Sequence, residues 1–139
     1  TDVGTAPIAD FARAAKVLAD AGYSPVPHLP ARRIAGEADL RERLRLLTGE
    51  AGVNDVLVIA GSVDRPAGTL LSSMDVLRTG ILAEFGINTI GVAGHPEGSP
   101  DIAPGANAEA LAEKNDFALA NGIDTASYTH PTLPTTYPV

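Results

Sequence analysis

Hydrophobic residues recur every three or four positions in four segments of the chain, which is the spacing of an amphipathic helix. The predicted helices span residues 7–21, 36–48, 73–85 and 108–120. Short apolar runs between them predict strands at residues 24–28, 56–60, 89–93 and 125–129. Gly22, Gly49 and Gly86 are predicted to end the first three helices, and Asn107 is predicted to cap the fourth.

The two central strands are apolar with almost no alternation, which is typical of strands buried on both faces. Strict alternation of helix and strand favours right-handed crossovers and a parallel sheet, so the predicted fold class is α/β with parallel βα repeats. Two architectures remain, an open doubly wound sheet and an arc of a (β/α)8 barrel. Four strands are too few to close a barrel, which needs about eight. An arc would leave edges that a partner or further strands must cover.

Composition narrows the function classes. The net charge of −7 argues against a nucleic-acid or anionic membrane partner. The chain has no cysteine, which excludes disulfides and thiolate catalysis and fits a cytoplasmic protein. No signal peptide or membrane-spanning run is visible. Residues 131–139 are rich in proline and lack periodicity, so we predict one domain over residues 1–130 and an irregular tail.

The three histidines, His28, His95 and His130, all lie at predicted strand ends. Active sites of α/β folds are built at the carboxyl ends of parallel strands. The loop that begins with His95 and Glu97 is long and polar directly after a buried strand, which favours a functional loop. We therefore predict that His28, Gly61 and this loop open onto one rim.

The segment after the most apolar strand contains Gly61, Ser62 and Asp64. Gly61 would let a ligand approach the backbone, and Asp64 could accept a hydrogen bond from a heterocycle or stabilise a cation. The alternative interpretation of the same residues is a solvent-exposed turn in which Asp64 lies beside Arg65. The segment is neither a phosphate-binding P-loop nor a dinucleotide fingerprint.

Asn107 and Lys114 are seven residues apart, so they lie about two turns apart on one face of the fourth helix. Together they could grip a phosphate or ribityl hydroxyls, although periodicity alone favours a solvated lysine. The three histidines could instead gather around zinc in a metal-dependent hydrolase, but no two have the spacing of a metal-binding pair. A serine hydrolase is a weaker hypothesis, because the chain has no G-x-S-x-G motif.

Taken in chain order, four motifs resemble those of the methylenetetrahydrofolate reductase family. Their spelling is similar to that of a divergent bacterial branch of the family. They are Pro27-His28-Leu29, the strand that ends at Ala60-Gly61, the loop Gly94-His95-Pro96-Glu97-Gly98, and Leu111-Ala-Glu-Lys114. The resemblance runs from about Ala9 to Thr129.

This resemblance implies a partial (β/α)8 TIM barrel of about four to five of the eight units, holding FAD at the strand ends. The family passes hydride from NAD(P)H through FAD to a tetrahydrofolate derivative that carries a one-carbon unit. The positions carried over as cofactor-binding are His28, Ala60, Gly61, Ser62, Ser72, His95, Asn107 and Lys114. His130 takes the place of a substrate-binding glutamine.

The departures from the family concern catalysis. The aspartate that the family places beside the flavin is Ser62 here, and Asp64 is the candidate replacement. The family's general-acid glutamate lies on a strand that would precede this chain. We therefore expect weak or absent catalysis from the chain alone. The alternative is a non-catalytic half-barrel that forms a homo-oligomer or pairs with a complementing chain.

Overall fold

The computed structural model describes residues 6–94 and 106–129. The elements in chain order are helix α1 (Ile8–Asp20), strand β1 (His28–Pro30), a 3₁₀ turn (Ala31–Arg33), α2 (Glu37–Ala51), β2 (Asp55–Ile59), α3 (Ser73–Arg78), α4 (Ile81–Glu84), β3 (Thr89–Gly94), α5 (Ala106–Asn121) and β4 (Asp124–Thr129).

The four strands form one parallel sheet in the order β1-β2-β3-β4, which confirms the predicted α/β class. The register aligns His28 with Leu57, Leu57 with Gly91, and Gly91 with Ala126. The order of the strands follows the chain. The described sheet therefore lacks the reversal of strand order that characterises doubly wound folds.

The helices pack against one face of this sheet. The strand residues that join the helices in the hydrophobic core alternate along each strand, as one face requires: Leu29, Val56, Val58, Ile90 and Val92. Leu57 is buried but stands outside that core, in the row of the opposite face that also holds His28 and Gly91. Crossovers between neighbouring parallel strands are almost always right-handed, which is expected to place the helices that connect the strands on the same side of the sheet.

The first strand was predicted too early, at residues 24–28, whereas the ladder begins at His28. Pro25 and Pro27 have no N–H to donate, so the chain before His28 cannot pair regularly. Pro27 contributes its carbonyl alone, which accepts from the Leu57 N–H at 2.9 Å.

Two helix predictions also need correction. Helix α2 continues through Gly49 to Ala51 and ends where Gly52 adopts φ 61°, with the Val53 N–H donating to the Leu47 carbonyl at 3.2 Å. This is the bonding of a Schellman cap. The predicted helix over residues 73–85 is two short helices, because Gly80 between them takes φ 72°.

Within the described residues, no helix combines the length and the apolar character needed to cross a lipid bilayer.

Candidate functional site

The carboxyl end of β2 leads into Ala60, Gly61 and Ser62, which form the centre of the candidate site. Gly61 takes φ 86°, and a Cβ placed on it would lie 3.0 Å from the Pro30 Cβ. A larger residue would be strained there and crowded against β1. The Arg32 N–H donates to the Ala60 carbonyl at 3.0 Å, which ties the ends of the two strands together.

The loop that follows, residues 60–72, is fixed against the 3₁₀ turn. The Ala67 N–H donates to the Arg32 carbonyl at 2.8 Å. A Cβ on Gly68 would clash with the Ala35 carbonyl oxygen, so the two backbones are in direct contact. Contacts within the chain therefore hold this loop in place at the carboxyl edge of the sheet, without help from a ligand.

His28 lies below this rim, since it begins β1 and does not end a strand as predicted. Gly61 stands against Pro30, two residues further along β1, so His28 is about 7 Å deeper along the strand. Strand alternation puts His28 and Pro30 on the same face. The structure thus brings His28 and Gly61 to one face of the sheet at different depths.

Ser72 caps helix α3 in a reciprocal box. Its hydroxyl accepts from the Asp75 N–H at 3.2 Å, and Asp75 Oδ2 accepts from the Ser72 and Leu71 N–H groups at 2.8 and 2.9 Å. Burial alone would raise the pKa of the Asp75 carboxyl. The hydrogen bonds from the two amides outweigh burial and hold this pKa below its ordinary value.

Lys114 is buried, with 9% of its surface exposed, so its interpretation as a solvated lysine is wrong. It shares a face of α5 with Leu111 and Ala118, and that face packs on the core. Periodicity missed it because Lys114 is a charged residue in an otherwise apolar stripe.

Lys114 has neither an ion pair nor a hydrogen-bond partner among residues 6–94 and 106–129. Burial lowers the pKa of its ammonium group, and the neighbouring Glu113 charge opposes this only in part. The described part of the chain contains no fully enclosed, unpartnered polar side-chain atom, so Nζ keeps access to water. Long side chains on a helix lean toward its N-terminus, which for α5 is the end nearest the carboxyl edge of the sheet.

The remaining predicted site residues are Asp64, Asn107, His95 and His130. Asp64 is exposed in the loop after β2. Helix α5 begins at Ala106, so Asn107 falls within its first turn and is not its cap; the position of the Asn107 side chain is outside the described structure. His95 and His130 also lie outside the described residues.

Sequence reasoning missed a pocket at the other side of loop 60–72, where Arg32, Arg33, Arg43 and Arg65 come together. A signal was present, because Arg32 and Arg33 follow one strand closely and Arg65 follows the next. Arg43 belongs to α2, and 14% of its side chain is exposed.

No family model matches this chain. Within the described ranges, no three His, Asp or Glu side chains stand close enough together to hold a metal ion.

Proposed function

We propose that this chain is the flavin-binding part of an oxidoreductase that resembles methylenetetrahydrofolate reductase. The observation that carries the proposal is the largely buried Lys114 side chain, whose ammonium has no ion-pair or hydrogen-bond partner among the described residues. Burial of an uncompensated charge is costly, and a diphosphate would offset that cost. Lys114 is also a position that the resemblance assigns to the cofactor.

The arrangement of the sheet supports an arc of a (β/α)8 barrel. Helices cover one face, and the strands follow one another without a reversal. In a barrel the face without helices is the interior, which is where His28 and the Gly61–Pro30 contact lie.

The residues present fit FAD in part. Lys114 would hold its phosphates, and Gly61 and Ser62 would let the ring approach the backbone. The Ser72 hydroxyl is engaged with Asp75 in the cap of α3. When bound, FAD supplies hydride transfer between NAD(P)H and a folate-bound one-carbon unit. The chain's contribution is binding and orientation, with Asp64 as the exposed carboxylate nearest the rim in sequence.

A fluorescence titration with FAD tests this proposal, with Lys114→Met as the variant. Lys16→Met is the matched control, because Lys16 is exposed and paired with Asp20. We expect wild type and the control to bind FAD equally, and Lys114→Met to bind about tenfold more weakly or worse. Wild-type protein that is folded but does not bind FAD would remove the proposal. Equal binding by Lys114→Met would remove Lys114 from it.

A non-catalytic half-barrel is the second candidate, and the sheet edges favour it. Among the described strands, β1 and β4 each have a neighbour on one side alone. Exposed edges of this kind pair readily with another chain. Light scattering distinguishes the two: a dimer supports assembly, whereas a monomer that unfolds cooperatively contradicts it.

A further inference from the structure

The arginine pocket has a volume of about 270 Å³ and lies between the 3₁₀ turn, α2, the start of α1 and the loop after β2. Four guanidinium-bearing residues line it, namely Arg32, Arg33, Arg43 and Arg65; the other lining residues are aliphatic, and none carries a carboxylate. The chain has ten Lys and Arg residues and a net charge of −7, so this is a strong local concentration of positive charge.

Most of this charge is not balanced by the protein. Arg43 pairs with Asp39 at 3.0 Å. Arg32 donates through Nε to the Leu71 carbonyl at 3.1 Å, which is a neutral acceptor. Within the described ranges, Arg32, Arg33 and Arg65 form no ion pair. Cations held close together repel unless an anion joins them.

Two of the four arginines, Arg32 and Arg43, are held in place by hydrogen bonds within the protein. Nε of Arg32 is occupied by Leu71, which leaves the two terminal nitrogens of the guanidinium as the free fork. Asp39 fixes Arg43 and also accepts from the Ala35 N–H at 2.8 Å. The close contact of Gly68 with Ala35 holds the loop that bears Arg65 against the turn. Arg32 and Arg43 therefore lose less conformational freedom on binding a ligand than unrestrained side chains would.

We propose that this pocket binds a phosphate group in its dianionic form, and that it is a site separate from the flavin site. Three unpaired guanidinium groups exceed the charge of one carboxylate, and guanidinium forks match the several oxygens of a phosphate. Ile8 and Val63 offer an apolar wall for the organic part of a small phosphate monoester.

Calorimetric titration of the whole chain tests the site, first with inorganic phosphate and then with ribose 5-phosphate. Arg33→Ala and Arg65→Ala each remove one unpaired guanidinium. We expect each to weaken phosphate binding about tenfold or more, and the double variant to abolish it. Arg13→Ala is the control, because Arg13 is exposed and pairs with Asp10 on α1; it should bind like wild type.

Ionisation gives a second readout. A phosphate monoester loses its second proton near pH 6, so binding should be weaker at pH 5 than at pH 7.5. Tighter binding of ribose 5-phosphate than of inorganic phosphate would identify a monoester site, and equal binding a site for phosphate itself; both support the proposal. Folded wild type that binds neither probe would overturn it, as would unchanged affinity in the Arg33→Ala/Arg65→Ala variant. FAD affinity should stay at the wild-type level in these variants, so the two sites can fail independently.

Discussion

Positive side chains on the surface of α1 and α2 are paired with carboxylates, whereas most of those near the carboxyl edge of the sheet are not. On the helices, Lys16 is exposed and pairs with Asp20, and Arg45 is exposed and pairs with Glu42. At the carboxyl edge and on α5, three of the pocket arginines (Arg32, Arg33 and Arg65) and Lys114 form no ion pair in the described structure. Exposed pairs of this kind contribute little to stability. The cations without a carboxylate partner are therefore the ones available to bind a ligand.

Arg41 shows how completely the helix surface satisfies its cations. It pairs with Glu37 on its own helix at 3.1 Å and with Glu84 on α4 at 3.3 Å. Hydrogen bonds from Arg41 to Glu84, and then to Glu37, raise the pKa of its guanidinium above the ordinary value. Arg33 and Arg65 form no such ion pair within the described structure.

The largest expected effect comes from Gly68→Ala, which puts a methyl group against the Ala35 carbonyl. We expect a loss of about 1–3 kcal/mol in the free energy of unfolding, together with weaker phosphate binding. Gly49→Ala is the control on the helix surface, where a Cβ meets open space inside α2. It should stabilise by about 0.5–1 kcal/mol. Urea unfolding measures the free energy of unfolding of both variants. Equal changes of the same sign would contradict the expected difference between the two glycines.

Lys114→Met is expected to raise the free energy of unfolding by about 0.5–2 kcal/mol while it weakens FAD binding. The substitution removes a desolvated charge and keeps the apolar stem. Because burial lowers the pKa of Lys114 in the folded protein, the unfolded chain binds more protons between that lowered value and about 10.4. Wild type should therefore gain stability relative to Lys114→Met as pH rises through this window. If the difference in stability between wild type and Lys114→Met does not change with pH, burial does not disfavour the charged form of Lys114.

Ser72→Ala should destabilise by about 1 kcal/mol, because it removes the cap of α3. Ser62→Ala, at an exposed position on the same loop, should leave stability nearly unchanged. The Asp75 carboxylate adds a pH dependence: its folded pKa is lowered, so its stabilising effect is present above the unfolded value and is lost as pH falls through the folded one. An Asp75→Asn variant should lack this acid-dependent loss in thermal unfolding.

The smallest effect is expected on the helix surface. Lys16→Met should cost about 0.3–0.5 kcal/mol, the usual value for a pair one turn apart, and the cost should vanish in high salt. A larger cost that persists in salt would mean that the surface pairs hold the helices together, contrary to the comparison.

The sequence predicted the two central strands better than the first strand or the helix ends. The apolar runs that became β2 and β3 depend on local composition, and their bounds were predicted to within one residue. Gly49 and Gly80 have the same side chain, yet α2 continues through the first and the second separates α3 from α4. What distinguishes them is backbone φ and the packing of neighbours such as Ala51, which the letters do not contain.

The candidate site depended even more on tertiary structure. Gly61 and Ser72 follow from strand ends and capping rules, and both lie where turn chemistry puts them. Burial of Lys114 depends on which face of α5 meets the sheet. The sequence shows arginines after two neighbouring strands, but only the tertiary structure shows that they meet Arg43 of α2 in one pocket.

The order β1-β2-β3-β4 has a consequence for how the protein is made. Each strand pairs with the next one to leave the ribosome, so a new strand finds its neighbour already synthesised. The sheet can then grow in the direction of translation, one helix and strand at a time, without waiting for a distant segment.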